Sequence, residues 1–216
     1  MRPVKVVFFI VLRWIICLLF LNYLYEMTTL GGSQRLSSLE FLEEGVLTIT
    51  AISSFGEKQF DFVKLIFILG LFLLIFYQSI LLMIEVSDGF RSTVQFHSKS
   101  RHQYLIRLII LITKQVTKDY LVFCGCILVI AVLKVSFISW ETLLLPVIFF
   151  YSIVIIYFVL LILSVSNMLF GLVGCIFTIP MMLETYQHPK WLFLVCLVVV
   201  IQFYTPLGTF SRGEDS

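Results

Sequence analysis

The sequence predicts an all-α integral membrane protein with six transmembrane helices and both termini in the cytoplasm. Three observations predict it. Of the 216 residues, 60% are hydrophobic and only 13% are charged, against about 25% charged in soluble domains. Several apolar runs exceed about 18 residues, the length that marks a membrane helix. The remaining charges are sorted along the chain, with bases at the N-terminus and in the middle and acids between them. No stretch has the composition of a separate soluble domain, so residues 1–216 read as one transmembrane domain.

The first span covers about residues 6–25. Arg2 and Lys5 precede it, and the excess of bases in cytoplasmic segments places the N-terminus inside. Bulky Asn22, Tyr23, Leu24 and Tyr25 follow the run in place of a small-residue cleavage site, so the span reads as a retained signal anchor. Arg13 lies inside the run. A charge at mid-helix costs about 2.5–3.5 kcal/mol, which favours a shallow position with the head snorkelling to the inner surface. The sharper alternative is a partner carboxylate or a lateral entrance.

Residues 26–61 carry Glu26, Glu40, Glu43, Glu44, Glu57 and Asp61 against Arg35 and Lys58. That balance predicts an external loop and an ordinary connector. Ser37 or Ser38 begins a short amphipathic helix at the outer surface. The second span is about residues 62–84, with Lys64 near its outer end and in reach of the interface. Residues 85–107 form the cytoplasmic region between spans two and three. From Asp88 to Lys118 the bases are Arg91, Lys99, Arg101, Arg107, Lys114 and Lys118, with Asp88 the only acid and Asp119 just beyond. This is the largest positive bias in the chain.

The third apolar segment runs from Tyr104 to about Leu133, longer than one upright span needs. Arg107, Lys114 and Lys118 occupy broadly one face of its first half. The expected solution is an amphipathic, partly cytoplasmic 104–119 and a crossing at 120–133 and somewhat before. These bases and Arg13 are candidates for the membrane surface or an entrance, with anionic inner-leaflet lipid as the plainer partner. The fourth span is 143–163, with Pro146 near its start. Ser164, Ser166 and Asn167 make a short polar break, and 168–179 is the fifth span, with Gly171 and Gly174 offering close helix contact. Pro180 bends or ends it, and 181–190 returns to the polar side. The sixth span, about 191–204, has only some 14 to 16 residues against the about 20 that a crossing needs.

Cys17, Cys124, Cys126, Cys175 and Cys196 all lie in apolar segments and read as small hydrophobes. Cys124 and Cys126 face different ways on a helix. There is no Walker A loop and no His-Glu-x-x-His zinc motif, so the chain reads as no enzyme, with no cofactor bound directly and no nucleic acid as partner. His97, His102 and His188 read as solvated. The spans carry few mid-membrane acids, so no ion relay is evident.

The layout resembles the membrane subunit of a bacterial ABC exporter of the ABC-2 type. The residues that carry the resemblance are Glu85 at the inner end of span two, Gly89 four residues on, and Arg101 after Ser98-Lys99-Ser100. The chain departs from that pattern in its shortness, its sparse Pro and Gly between Glu85 and Arg101, and its weak sixth span. The resemblance implies a multi-pass subunit of the bacterial cytoplasmic membrane that pairs with a second permease chain, identical or related. It implies a cytoplasmic ABC ATPase as partner, using ATP and Mg, docked on Glu85, Asp88, Gly89, Arg91, Lys99 and Arg101. The expected cargo is an amphipathic peptide or a lipid-like compound. The alternatives are a non-transport accessory or immunity protein, and another transporter or a membrane enzyme.

Overall fold

The computed structural model describes residues 2–29, 37–52, 58–85, 101–134, 140–164 and 168–204. Helix α1 spans Arg2–Thr29. A short helix α2, Ser38–Glu40, runs into a π-helical turn, Phe41–Val46. Strands β1 (Thr50–Ile52) and β2 (Lys58–Phe60) pair antiparallel with Ala51 opposite Gln59. Helices α3 (Phe62–Ile75) and α4 (Tyr77–Glu85) follow, then α5 (Arg101–Lys134), α6 (Trp140–Ser164), α7 (Met168–Gln187) and α8 (Lys190–Tyr204).

Among the described residues three helices are long and apolar enough to cross a membrane: Phe9–Thr29, Ile106–Lys134 and Leu143–Leu161. Counted as one span, the bent pair α3–α4 makes a fourth. The helical membrane class therefore stands, while helix lengths alone yield three or four crossings and not six. Helix α8, with 15 residues, is about 22 Å long at 1.5 Å per residue and short of the about 30 Å hydrocarbon core.

Three segments differ from expectation. The third apolar segment is amphipathic in its first half as expected, with Leu108, Ile112 and Val116 buried and Arg107, Lys114 and Lys118 exposed, but the stretch able to cross a membrane, Ile106–Lys134, begins well before 120. It is one 34-residue helix, because its buried positions Leu108, Ile112, Val116, Tyr120, Phe123, Ile127 and Ile130 form an unbroken three-and-four stripe that packs throughout. Helix α7 does not end at Pro180 but continues to Gln187. Its turn past the proline is held from outside, since the Tyr157 hydroxyl on α6 bonds Thr185 Oγ1 at 2.6 Å and the Met181 carbonyl at 3.3 Å. Gly174 does sit in a close contact, where an added Cβ would come within 2.8 Å of Leu161.

The polar segment after α1 is more than a connector. Ser37 caps α2 as a capping box, its hydroxyl accepting from Glu40 N at 3.3 Å while Glu40 Oε2 accepts from Ser37 N at 2.8 Å. The following turn then buries Phe41, Leu42, Val46 and Leu47. Tyr186 and Gln187 at the end of α7 bond Glu43 Oε1 and the Leu47 carbonyl. Lys64 does not reach outward. It is 3% exposed, and its ammonium donates to the Glu44 and Thr50 carbonyls, satisfying backbone groups that the irregular turn leaves open.

Between α3, α4, α5 and α6 the core is aromatic. Phe72 stacks on Phe76 and meets Phe123 and Phe150 with ring centroids 5.6 and 5.7 Å apart. Phe76 meets Phe158 at 5.4 Å. This packing brings α3 and α4 against the middle of α5.

Candidate functional site

The second apolar span is broken at Phe76, where α3 and α4 meet at 63°. No proline or glycine stands between Leu71 and Asp88. Without those, a sharp kink arises where a side chain inserts into the helical hydrogen-bond ladder, and two side chains do so here. In a straight helix the Ser79 N–H would donate to the Ile75 carbonyl. Instead, the Ile75 carbonyl accepts from Arg13 Nη2 of α1, and the Ser79 N–H donates to Asp119 Oδ2 of α5 at 3.0 Å. The Ser79 hydroxyl donates to the same carboxylate oxygen at 2.7 Å. Arg13 and Asp119 then pair with each other at 2.9 Å. An ion pair thus fills the gap in a third element's ladder.

The pair is sheltered: the Asp119 side chain is 2% exposed and that of Arg13 13%. The 15 residues from Asp119 to Lys134 at the end of α5 correspond to about 22 Å of helix, inside a hydrocarbon core of about 30 Å if Lys134 marks one boundary. The partner carboxylate, the sharper alternative for Arg13, is Asp119. Cys17 and Cys126, one and two turns farther along α1 and α5, are both buried, and the Trp14 ring covers Gly125. Cys124 points elsewhere, into an apolar pocket of about 150 Å³ lined by Ile127, Leu128, Leu143, Leu144 and Val147.

Glu85 is the exposed last residue of α4. Asp88, Gly89, Arg91 and Lys99 lie outside the described residues, as does the side chain of Arg101, whose backbone opens α5. Arg107, Lys114 and Lys118 are exposed on α5, at about 40, 30 and 24 Å of helix from Lys134. They are spread over about 16 Å along one helix. His188 pairs with Glu184 across one helical turn at 3.5 Å on the surface, and His97 and His102 lie outside the described side chains. No cluster of three or more metal-binding side chains occurs among the described residues.

Asp119 and Ser79 are the site residues that composition and motif did not single out. A signal for Asp119 existed. A buried arginine needs a counter-ion, and Asp119 is the only acid between Asp88 and Glu141. Ser79 carries no such signal. No protein-family model, characterised protein or solved structure matches this chain.

Proposed function

We propose that this chain is the membrane-embedded subunit of an ATP-driven exporter, working with a separate cytoplasmic ATPase that docks on residues 85–107. On this reading six segments cross the membrane, with both termini inside, and two such chains pair. The observation that supports it most is where the two flanks of that region lead. Helix α4 runs from Glu85 to Ser79, and α5 runs from Arg101 to Asp119, and these two side chains meet at the joint. A second link, Gln115 Nε2 to Gln78 Oε1 at 2.9 Å, ties the same helices. A push on residues 86–100 therefore arrives at a break in the membrane-embedded helix and not at a rigid rod. The basic side chains Arg107, Lys114 and Lys118 anchor this end of α5 to anionic headgroups. The cargo on this reading is an amphipathic peptide or a lipid-like compound.

The test is affinity purification of the tagged protein from its own membranes, with ATPase turnover of the eluate as readout. The expected result is a co-purifying ATPase that is lost on Glu85→Arg or Arg101→Glu. Elution without an ATPase, together with intact cellular resistance to amphipathic peptides after both reversals, would sink the reading. The short α8 favours the accessory or immunity alternative, which predicts that same negative outcome.

A further inference from the structure

We infer that the break at Phe76 is a two-position joint, in which the Arg13–Asp119 pair and the helix's own 79-to-75 hydrogen bond exchange partners. In the bent position the Ile75 carbonyl and the Ser79 N–H are each held by an ion. If α4 swings into line with α3, these two backbone groups meet and close the ordinary ladder bond. The swing releases Arg13 Nη2 from Ile75 and Asp119 Oδ2 from the Ser79 amide. The freed carboxylate oxygen then faces a guanidinium with a donor to spare, for Arg13 Nε is buried and makes no hydrogen bond among the described residues. A side-on pair using Nε and Nη2 satisfies both. The Ser79 hydroxyl, leaving Asp119, can turn back onto the Ile75 carbonyl in its own helix.

The bonds broken and formed thus balance, and neither position strands the Ile75 carbonyl or the Ser79 N–H in an apolar interior, the condition that membrane helices must meet. A fixed structural pair would have no reason to leave Arg13 Nε unmatched. The packing beside the break is also incomplete. A small apolar void of about 10 Å³ lies against Phe76, between Phe72, Ile80, Phe158 and Met182. The exchange stands on this geometry alone. A drive from the ATPase docked at residues 85–107 would rest on the exporter reading.

The joint is tested on the purified full-length protein in nanodiscs, without any ATPase. Genetically encoded spin-label amino acids at Val63 and Glu85, both exposed, report the angle. The labelled backbone positions lie about 28 Å apart with the 63° bend and about 33 Å apart in a straight helix, at 1.5 Å per residue. The wild type is expected at the shorter distance. Arg13→Met with Asp119→Leu removes both holders, and the orphaned backbone groups are expected to pair, lengthening the distance by about 5 Å. Adding Ser79→Pro, which has no N–H to give, is expected to restore the short distance. An unchanged distance in the double variant, or lengthening that persists with Pro at 79, overturns the joint. If the double variant is not recovered folded, Arg13→Gln with Asp119→Asn replaces it. Both distances are then expected, and a distribution identical to wild type overturns the proposal. Failure here leaves ATPase co-purification untouched, and the reverse also holds.

Discussion

Helices α1 and α5 run in the same direction and are joined by an ion pair at each of two depths. At one end Glu26 pairs with Lys134, with side chains 53% and 33% exposed. Lys134 also lies over the Tyr25 ring, and the Tyr25 hydroxyl bonds the Lys134 carbonyl at 3.0 Å. Thirteen residues back along α1 and fifteen back along α5, Arg13 pairs with Asp119 where both are sheltered. The outer pair is solvated, so each charge keeps much of its hydration and little is lost when its partner goes. The inner pair has given up water, so each ion depends on the other and on the backbone groups beside it. The same two charge types on the same two helices thus do different jobs. The outer pair ties two exposed helix ends. The inner pair holds a bend in α3–α4.

Breaking the inner pair from one side is the sharpest way to expose this difference. Asp119→Ala leaves Arg13 uncompensated and is expected to destabilise the protein by about 3–5 kcal/mol, whereas removing both charges with Arg13→Met and Asp119→Leu costs little or stabilises. Denaturant unfolding in mixed micelles measures both, and a single variant as stable as the double would place the pair in water. A smaller effect is expected midway along the seam. An added Cβ at Gly125 falls 2.6 Å from Trp14, so Gly125→Ala is expected to cost about 1–3 kcal/mol by overpacking. The same unfolding measurement checks it, and no loss would mean that Trp14 swings clear.

Next in size is the polar cap beside the outer pair. Ser37→Ala removes the capping hydroxyl and is expected to cost about 1 kcal/mol. The Glu40 carboxylate is held below its ordinary 4.5, first by the Ser37 backbone N–H and then by the Ser37 hydroxyl. A folded value below the unfolded one means that the contribution is complete above the unfolded value and is lost as pH falls through the folded one. The difference between wild type and Glu40→Gln is therefore expected to be constant at neutral pH and to shrink only below 4.5. A difference that persists there would rule out the carboxylate as its source. The smallest effect belongs to the outer pair itself. Glu26→Gln is expected to cost less than about 1 kcal/mol and to cost less still in high salt. A loss as large as that of Asp119→Ala would erase the contrast between the two depths.

Much of the molecule was legible from residue patterns. Long apolar runs define the helices because backbone groups in lipid must pair within their own segment. The Ser37 cap and the three-and-four spacing of α5 follow local rules that need no neighbour. The break at Phe76 was not legible, because no proline or glycine stands at it. Its cause lies in Arg13, 62 residues upstream of Ile75, and in Asp119, 40 downstream of Ser79. Asp119 itself, beside Lys114 and Lys118, reads as one more charge of a basic segment until α5 is seen to pass through the core without a break.

By itself the sequence determined the class of the protein, the position of most helices and the sorting of its charges, because hydrophobic runs and caps act over one or two turns. Only the tertiary structure decided which charges are solvated and which are paired in the interior. That depends on which helices lie side by side, and a charge's environment is set by neighbours distant in the chain. Arg13 shows the division: its presence in an apolar run is plain in the sequence, while its partner, its depth and the helix it holds open belong to the fold.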